Sequence, residues 1–141
     1  AVYFSMAEAD VERILQHPAT MIGSDGIPLQ ARPHPRLWGS FPRVLGHYCR
    51  GRGLFSLETA VHKMTGLTAA RFGLADRGVL APGLAADITI FDAERVIDRA
   101  TFDEPATAAE GIEAVLVNGQ VAWRDGQGQA LAGRLLAPGD R

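Results

Sequence analysis

The chain has 141 residues, of which 47% are hydrophobic and 21% are charged, and its formal net charge is −2. This length suffices for one ordinary domain or two small ones, and the balanced charge argues against a nucleic-acid binder, which usually presents a basic face. No apolar run approaches the roughly 18 residues of a membrane span, and a single cysteine, Cys49, excludes an internal disulfide framework. We therefore expect a cytoplasmic globular protein that binds neither nucleic acid nor membranes.

The amino-terminal part of the chain has the pattern of helices around one short strand. Residues 5–8 have the serine-to-glutamate spacing of a capping box, and residues 8–17 have the apolar periodicity of a helix that Pro18 ends. Residues 20–24 form a short apolar run between this helix and a turn, which predicts a buried strand. That strand would deliver Asp25 to its carboxyl end.

A proline-rich segment follows, and we predict that it is a loop. Residues 27–43 contain four prolines and no evident element, and long loops of this kind are often functional. Residues 44–49 predict a helical turn. Ser56 is expected to cap a second helix, and Gly73 to end the helical region. The apolar face of that second helix is predicted to contain Ala60, Val61 and Met64.

The pattern changes after residue 73 to short β-branched runs separated by glycine and proline. Strands are predicted at residues 78–80, 87–92, 112–117 and 120–124. Asn118-Gly119 is the pair that a type I′ hairpin turn prefers, because both central residues of that turn need a positive φ. We therefore predict an α/β part over residues 1–73 and a small β part over residues 74–141, with the boundary near residues 74–77.

Asp25 is the candidate catalytic residue. A carboxylate directly after a buried parallel strand lies at the edge where α/β barrels place their active sites. There it would act as a general base or ligate a metal, either directly or through water. An aspartate in a turn or at a helix cap fits the same spacing.

His34 and Arg36 lie on the proline-stiffened segment and are candidate substrate-binding residues. A rigid loop would hold the Arg36 guanidinium toward a substrate carboxylate, because a bidentate contact needs fixed geometry. The plain alternative is that both are solvated loop residues. No two of the four histidines stand at i, i+2 or i, i+4, so the sequence predicts no local metal site, and Cys49 is expected to be an ordinary small residue.

Four stretches carry a family resemblance: residues 21–26 (MIGSDG), 34–46 (HPRLWGSFPRVLG), 77–92 (RGVLAPGLAADITIFD) and 112–119 (IEAVLVNG). They resemble the carboxyl-terminal third of N-acyl-D-amino-acid deacylases, or D-aminoacylases, within the metal-dependent amidohydrolase superfamily. The first two stretches point to the deacylase branch, and the last two to the superfamily as a whole. The resemblance as a whole extends over nearly the whole chain, beyond these four stretches.

The resemblance implies an α/β fold: the end of a (β/α)₈ TIM barrel, with its eighth strand at about residues 20–24, followed by part of a small β-sandwich domain. It implies that Asp25 takes a proton from a zinc-bound water and passes it to the leaving amine. It also implies that Arg36 holds the α-carboxylate of an N-acyl-D-amino acid, and that His34 orders the loop or lines the pocket. The products would be a carboxylate and a free D-amino acid.

The metal-binding residues of this family lie upstream of the matching stretches, so we expect a piece of a zinc enzyme that lacks the metal half. Alone, the chain should be inactive and hold no zinc, and a missing amino-terminal region or a partner chain would complete it. One alternative is a non-catalytic chain that assembles with a partner supplying the metal site. Another is a hydantoinase-like or dihydroorotase-like amidohydrolase acting on a different amide.

Overall fold

The computed structural model describes residues 6–28 and 32–137. Helices occupy the first half: α1 Glu8–Gln16, α2 Arg36–Arg43, a π-helix Val44–Gly51, α3 Leu57–Met64 and α4 Gly66–Phe72. Strands occupy the second half: β1 Ile88–Phe91, β2 Ile112–Val117, β3 Gln120–Arg124 and β4 Gln127–Gly128. The strands form one antiparallel sheet in the order β1-β2-β3-β4. Among the described residues there is no second sheet of the kind a sandwich requires.

Helix α1 begins at Glu8 as predicted, but it is not capped as predicted. Its N-cap residue is Ala7, whose side chain makes no capping hydrogen bond. Glu8 is therefore the first helical residue and not the third, the position that a capping box requires. The predicted partner, Ser5, lies outside the described residues. The helix ends one residue earlier than predicted, with His17 as its C-cap residue.

The strand predicted at residues 20–24 is absent, because this segment has no neighbouring strand in the described part of the chain. The Ile22 amide donates instead to the backbone oxygen of Lys63 at 3.2 Å.

The prediction of a strand at residues 78–80 is also wrong. Gly78 has a φ of +89°, and a Cβ built on it would lie 2.6 Å from Cβ of Ala69. Because residue 78 is a glycine, this segment can adopt a positive φ and approach α4 closely.

The prediction of a loop over residues 27–43 is wrong for its second half, which forms α2. Pro35 is the N-cap residue, with a φ of −51° that suits a helix start, and Pro42 lies within the last turn. Because Pro42 has no N–H, the α-type hydrogen-bond pattern is interrupted there, and the π-helix begins two residues later. The helical turn predicted at residues 44–49 is confirmed as part of this π-helix.

The caps and turns of the rest of the chain follow the sequence closely. Ser56 caps α3 by accepting the Thr59 amide at 3.3 Å, and Gly73 ends α4 with a φ of +71°. Asn118 and Gly119 both have positive φ values, 49° and 78°, so the predicted hairpin between β2 and β3 is confirmed. The pair at residues 125–126 makes a second such turn, which leads into the short unpredicted strand β4.

The buried core joins the two halves of the chain. Val44, Leu45 and Tyr48 from the π-helix pack with Ala60 of α3 and with Val96, which follows β1. Partly buried apolar residues surround them; they include Val61 and Met64, on the face of α3 that the sequence predicted.

The domain boundary near residues 74–77 stays a prediction, and it lies in an irregular stretch between α4 and β1. In the described part of the chain, no helix has the length and apolarity to cross a bilayer.

Candidate active site

Asp25 lies in the irregular segment between α1 and α2, in a turn that the Ser24 side chain closes. Its φ is +48°, in the left-handed region that aspartate and asparagine tolerate better than most residues. The neighbouring Ser24 hydroxyl accepts the Gly26 amide at 3.3 Å, which stabilises the turn. The Asp25 side chain is 77% exposed, so its carboxylate is open to a ligand.

Arg36, the first residue of α2, contacts Asp25 twice. Its Nη2 lies 3.0 Å from Oδ2 of the carboxylate, and its Nε donates to the backbone oxygen of Asp25 at 2.8 Å. The structure therefore brings together two of the residues that the sequence singled out, 11 positions apart. The guanidinium is 39% exposed, and an ion pair this open to water is weak. A substrate carboxylate can compete with Asp25 for it.

His34 lies beside this pair and helps to start α2. Its Nδ1 accepts the Arg36 amide at 3.1 Å, and its ring meets the ring of Phe102 edge-on at 5.1 Å. Burial, and next the positive charge of Arg36, lower the pKa of His34 below its ordinary value, while the Asp25 charge opposes them. The imidazole is therefore neutral at pH 7. Because Nδ1 accepts a hydrogen bond, Nε2 carries the ring proton.

Two residues that the sequence did not single out keep the Asp25 and Arg36 segments together. A Cβ on Gly26 would lie 2.7 Å from Cδ1 and 3.0 Å from Cα of Leu37, so only glycine allows this approach. The Ser40 hydroxyl donates to the Arg36 backbone oxygen at 2.8 Å and lies 3.4 Å from that of Ser24. Arg36 and Ser40 are spaced i, i+4. This spacing predicts the hydrogen bond between them only if residues 36–40 are taken to be helical.

The described residues do not by themselves fit a zinc ion. A zinc site needs three or four protein ligands, and the described residues hold no group of three histidine, cysteine, aspartate or glutamate side chains close enough to share a metal. Asp25 offers one carboxylate, and its nearest charged neighbour is a guanidinium. Burial raises the pKa of the half-buried Cys49 thiol, which disfavours the thiolate that metals bind. A role of Asp25 as a metal ligand stays a prediction.

The comparison with protein families decides the assignment of the chain. Residues 4–123 match the model of an amidohydrolase family, Amidohydro_3. The chain belongs to this amidohydrolase family. Among curated proteins of that kind, a D-aminoacylase from Alcaligenes xylosoxydans xylosoxydans is 61% identical over 141 residues. The match covers 97% of the chain but 28% of the relative, so the chain spans a little over a quarter of its length.

Solved structures of amidohydrolases match as well. A D-aminoacylase crystal structure is similar with a TM-score of 0.94 at 60% identity, covering 96% of the chain and 29% of the matched one. An N-acyl-D-glutamate deacylase from Bordetella bronchiseptica, complexed with zinc and a phosphonate that mimics the tetrahedral intermediate, has a TM-score of 0.85 at 58% identity. That match covers 87% of the chain and 26% of the deacylase.

Proposed function

We propose that this chain is the part of an N-acyl-D-amino-acid deacylase that carries the general base and the carboxylate-binding arginine. The observation that carries the proposal is the pairing of an exposed carboxylate, Asp25, with a partly exposed guanidinium, Arg36, at one turn. A hydrolase of N-acyl amino acids needs both groups: one to move a proton and one to hold the substrate's α-carboxylate. The 61% identity to a D-aminoacylase supports the same assignment.

In this proposal Asp25 moves one proton twice. Its carboxylate takes a proton from the attacking water as the water oxygen bonds to the amide carbonyl carbon. The same proton then goes to the nitrogen of the leaving amine as the carbon–nitrogen bond breaks. The attacking oxygen gives up its second proton as the acyl product becomes a carboxylate, and the amine of the free D-amino acid takes up that proton. Asp25 returns to its ionised form.

Arg36 and His34 bind the substrate's α-carboxylate. The guanidinium fork holds two oxygens at once, so it fixes the direction of the substrate as well as its charge. Substrate binding replaces the contact between Arg36 and the Asp25 side chain, which frees that carboxylate for proton transfer. The neutral His34 presents its Nε2–H donor beside Arg36, and its Nδ1 contact keeps the start of α2 in place.

The finer architecture belongs to the same proposal. Residues 20–24 take the place of the last barrel strand once a neighbouring strand is present to pair with them, and the sheet β1–β4 forms part of the small domain. The zinc of the complete enzyme draws ligands from outside this chain, because the described residues hold no group of three metal-binding side chains. The isolated chain is therefore proposed to be inactive.

The test begins with the intact mass of the natural gene product that carries this chain, measured by mass spectrometry. The purified product is then assayed with N-acetyl-D-amino acids that have neutral or acidic side chains, and with their L-enantiomers. We expect hydrolysis of the D-substrates alone. No hydrolysis of either, or equal hydrolysis of both, would contradict the proposal.

A product near 15.1 kDa would favour the alternative in which a second chain supplies the metal site. The measurement for that case is co-purification, with the same assay applied to the complex. The isolated 141-residue chain serves as the negative control in both cases.

A further inference from the structure

Lys63, on α3, is a buried cation that the proposed reaction does not use. It is the single lysine of the chain, and it is 2% exposed. Among the described residues no ion pair involves it. Burial lowers its pKa, and no neighbouring charge contributes. A buried ammonium without an anion is costly, so the contacts that it makes need an explanation.

The ammonium binds the turn that follows α1. Its Nζ donates to the backbone oxygen of His17 at 2.6 Å and to that of Thr20 at 3.2 Å. These two carbonyls lie on either side of the bend that directs the chain away from α1. The Thr20 hydroxyl also donates back to the Ile14 oxygen at 2.7 Å, so the bend is held from both helices.

The backbone of Lys63 binds the next part of the same segment. Its carbonyl oxygen accepts the Ile22 amide at 3.2 Å and also the hydroxyl of Thr68 at 3.1 Å. Lys63 thus contacts the segment at residues 17, 20 and 22. Three residues later the chain reaches Asp25, whose carboxylate is largely exposed and is contacted by Arg36 on its other side in the sequence.

We propose that Lys63 is a positioning residue, which fixes residues 17–22 through its ammonium and its carbonyl and thereby sets the place of the Asp25 carboxylate. The inference rests on the proposed function of Asp25. An apolar side chain of the same length would fill the space on α3 at a lower desolvation cost, but it could not bind two carbonyl oxygens. The lysine is explained by the segment that it holds.

The first test compares Lys63→Met with His62→Gln in the natural gene product. His62 is the exposed neighbour on the same helix, so its substitution changes α3 without touching residues 17–22. We expect Lys63→Met to lower kcat at least tenfold. Because Arg36 contacts Asp25, KM should rise as well, but by a smaller factor than kcat falls. His62→Gln should change neither constant. An unchanged kcat, or a loss confined to KM, would overturn the inference.

A double-substitution cycle separates positioning from a general structural effect. If Lys63 acts through Asp25, Lys63→Met should cause no further loss of kcat in an Asp25→Asn background. A purely structural residue would lower kcat by the same factor in both backgrounds, and that result would refute the positioning role.

Hydrogen exchange of the unaltered protein gives a readout that needs neither activity nor a folded variant. The Ile22 amide should be strongly protected relative to the Gly23 amide. Lys63→Met, where it folds, should weaken that protection, because it keeps the carbonyl that accepts the Ile22 amide but loses the ammonium contacts to residues 17 and 20. Free exchange at Ile22 in the unaltered protein would overturn the inference. If the unaltered protein is protected there but hydrolyses no N-acyl-D-amino acid, the proposed function has failed and the contact itself stands.

Discussion

At the scale of single residues, Asp25 and Arg36 are coupled, so that changing one alters the environment of the other. Asp25 adopts a left-handed backbone conformation and receives two contacts from Arg36. A substitution that also disturbs the backbone would mix the loss of the functional group with a change in local structure. The informative variants therefore keep the size of the side chain and, at Asp25, the tolerance for a positive φ.

Asp25→Asn should lower kcat by about 10²-fold to 10⁴-fold, the usual contribution of a general acid–base group. Asparagine tolerates a positive φ as aspartate does, so the turn is expected to survive. Steady-state kinetics of the natural gene product measures the effect. Asp125→Asn is the matched control, since Asp125 is an exposed aspartate with a φ of +51° in a remote hairpin turn. Comparable loss in both variants would refute the catalytic assignment.

Arg36→Lys should raise KM about tenfold or more and change kcat less, because a point charge replaces a two-pronged contact. The control is Arg52→Lys, which alters an exposed arginine that pairs with Glu12 instead of with the candidate site. An unchanged KM for Arg36→Lys would remove this residue from substrate binding.

The candidate site was predictable from the sequence where a residue type alone carries the chemistry. Asp25, His34 and Arg36 could be selected because a carboxylate, an imidazole and a guanidinium have obvious uses, and the family resemblance supported the choice. Gly26 and Lys63 could not, because their roles depend on contacts with residues 11 to 46 positions away. Such contacts are set by the packing of elements and leave no local pattern.

At the scale of elements, turn and cap chemistry was a good guide, except at α1, where the predicted capping box is not formed. The Ser56 cap, the Gly73 helix end and the Asn118-Gly119 turn all depend on interactions within a few residues, and all three are confirmed. The predictions failed where the structure depends on more than the local sequence pattern. The many prolines of residues 27–43 led to the prediction of a loop where α2 forms. Residues 20–24 formed no strand, because a strand must pair with a second strand and none lies beside them in the described part of the chain.

The two N-caps of α1 and α3 give a matched pair of stability predictions. Ser56→Ala removes the hydroxyl that accepts the Thr59 amide and should lower the free energy of unfolding by about 1 kcal/mol. Ala7→Ser adds a hydroxyl at an N-cap that has an extended backbone and no side-chain hydrogen bond, so it should raise stability by a few tenths of a kcal/mol or more. Denaturant unfolding of both variants measures the shifts. Shifts of the same sign would contradict the cap argument.

At the scale of the whole molecule, the helical half and the sheet share one core. The π-helix packs directly on the segment after β1, and Arg50 reinforces this contact by donating to the backbone oxygens of Ala93 and Val96, both at 2.8 Å. The two parts that the sequence divides near residues 74–77 are therefore packed against each other. The change of residue pattern along the chain does not reveal this contact.

Gly46→Ala tests that contact. A Cβ at Gly46 would meet the backbone oxygen of Val96 and lie 3.0 Å from Cα of Ile97, so backbone would have to move. We expect a loss of about 1–3 kcal/mol in unfolding free energy, typical of overpacking. Gly133→Ala is the control, because a Cβ there has no neighbour within 4 Å among the described residues. A melting temperature unchanged by Gly46→Ala would show that the two halves can separate at little cost.

The burial of Lys63 also makes it a built-in chemical reporter. It carries the single side-chain amine of these 141 residues, and that amine is enclosed by the segment leading to Asp25. An amine-reactive reagent can acylate Lys63 only while residues 17–22 are detached from α3. The rate of labelling of Lys63, measured in the peptide that contains it, therefore reports how often residues 17–22 detach from α3. A bound substrate analogue that holds Asp25 in place should slow that labelling.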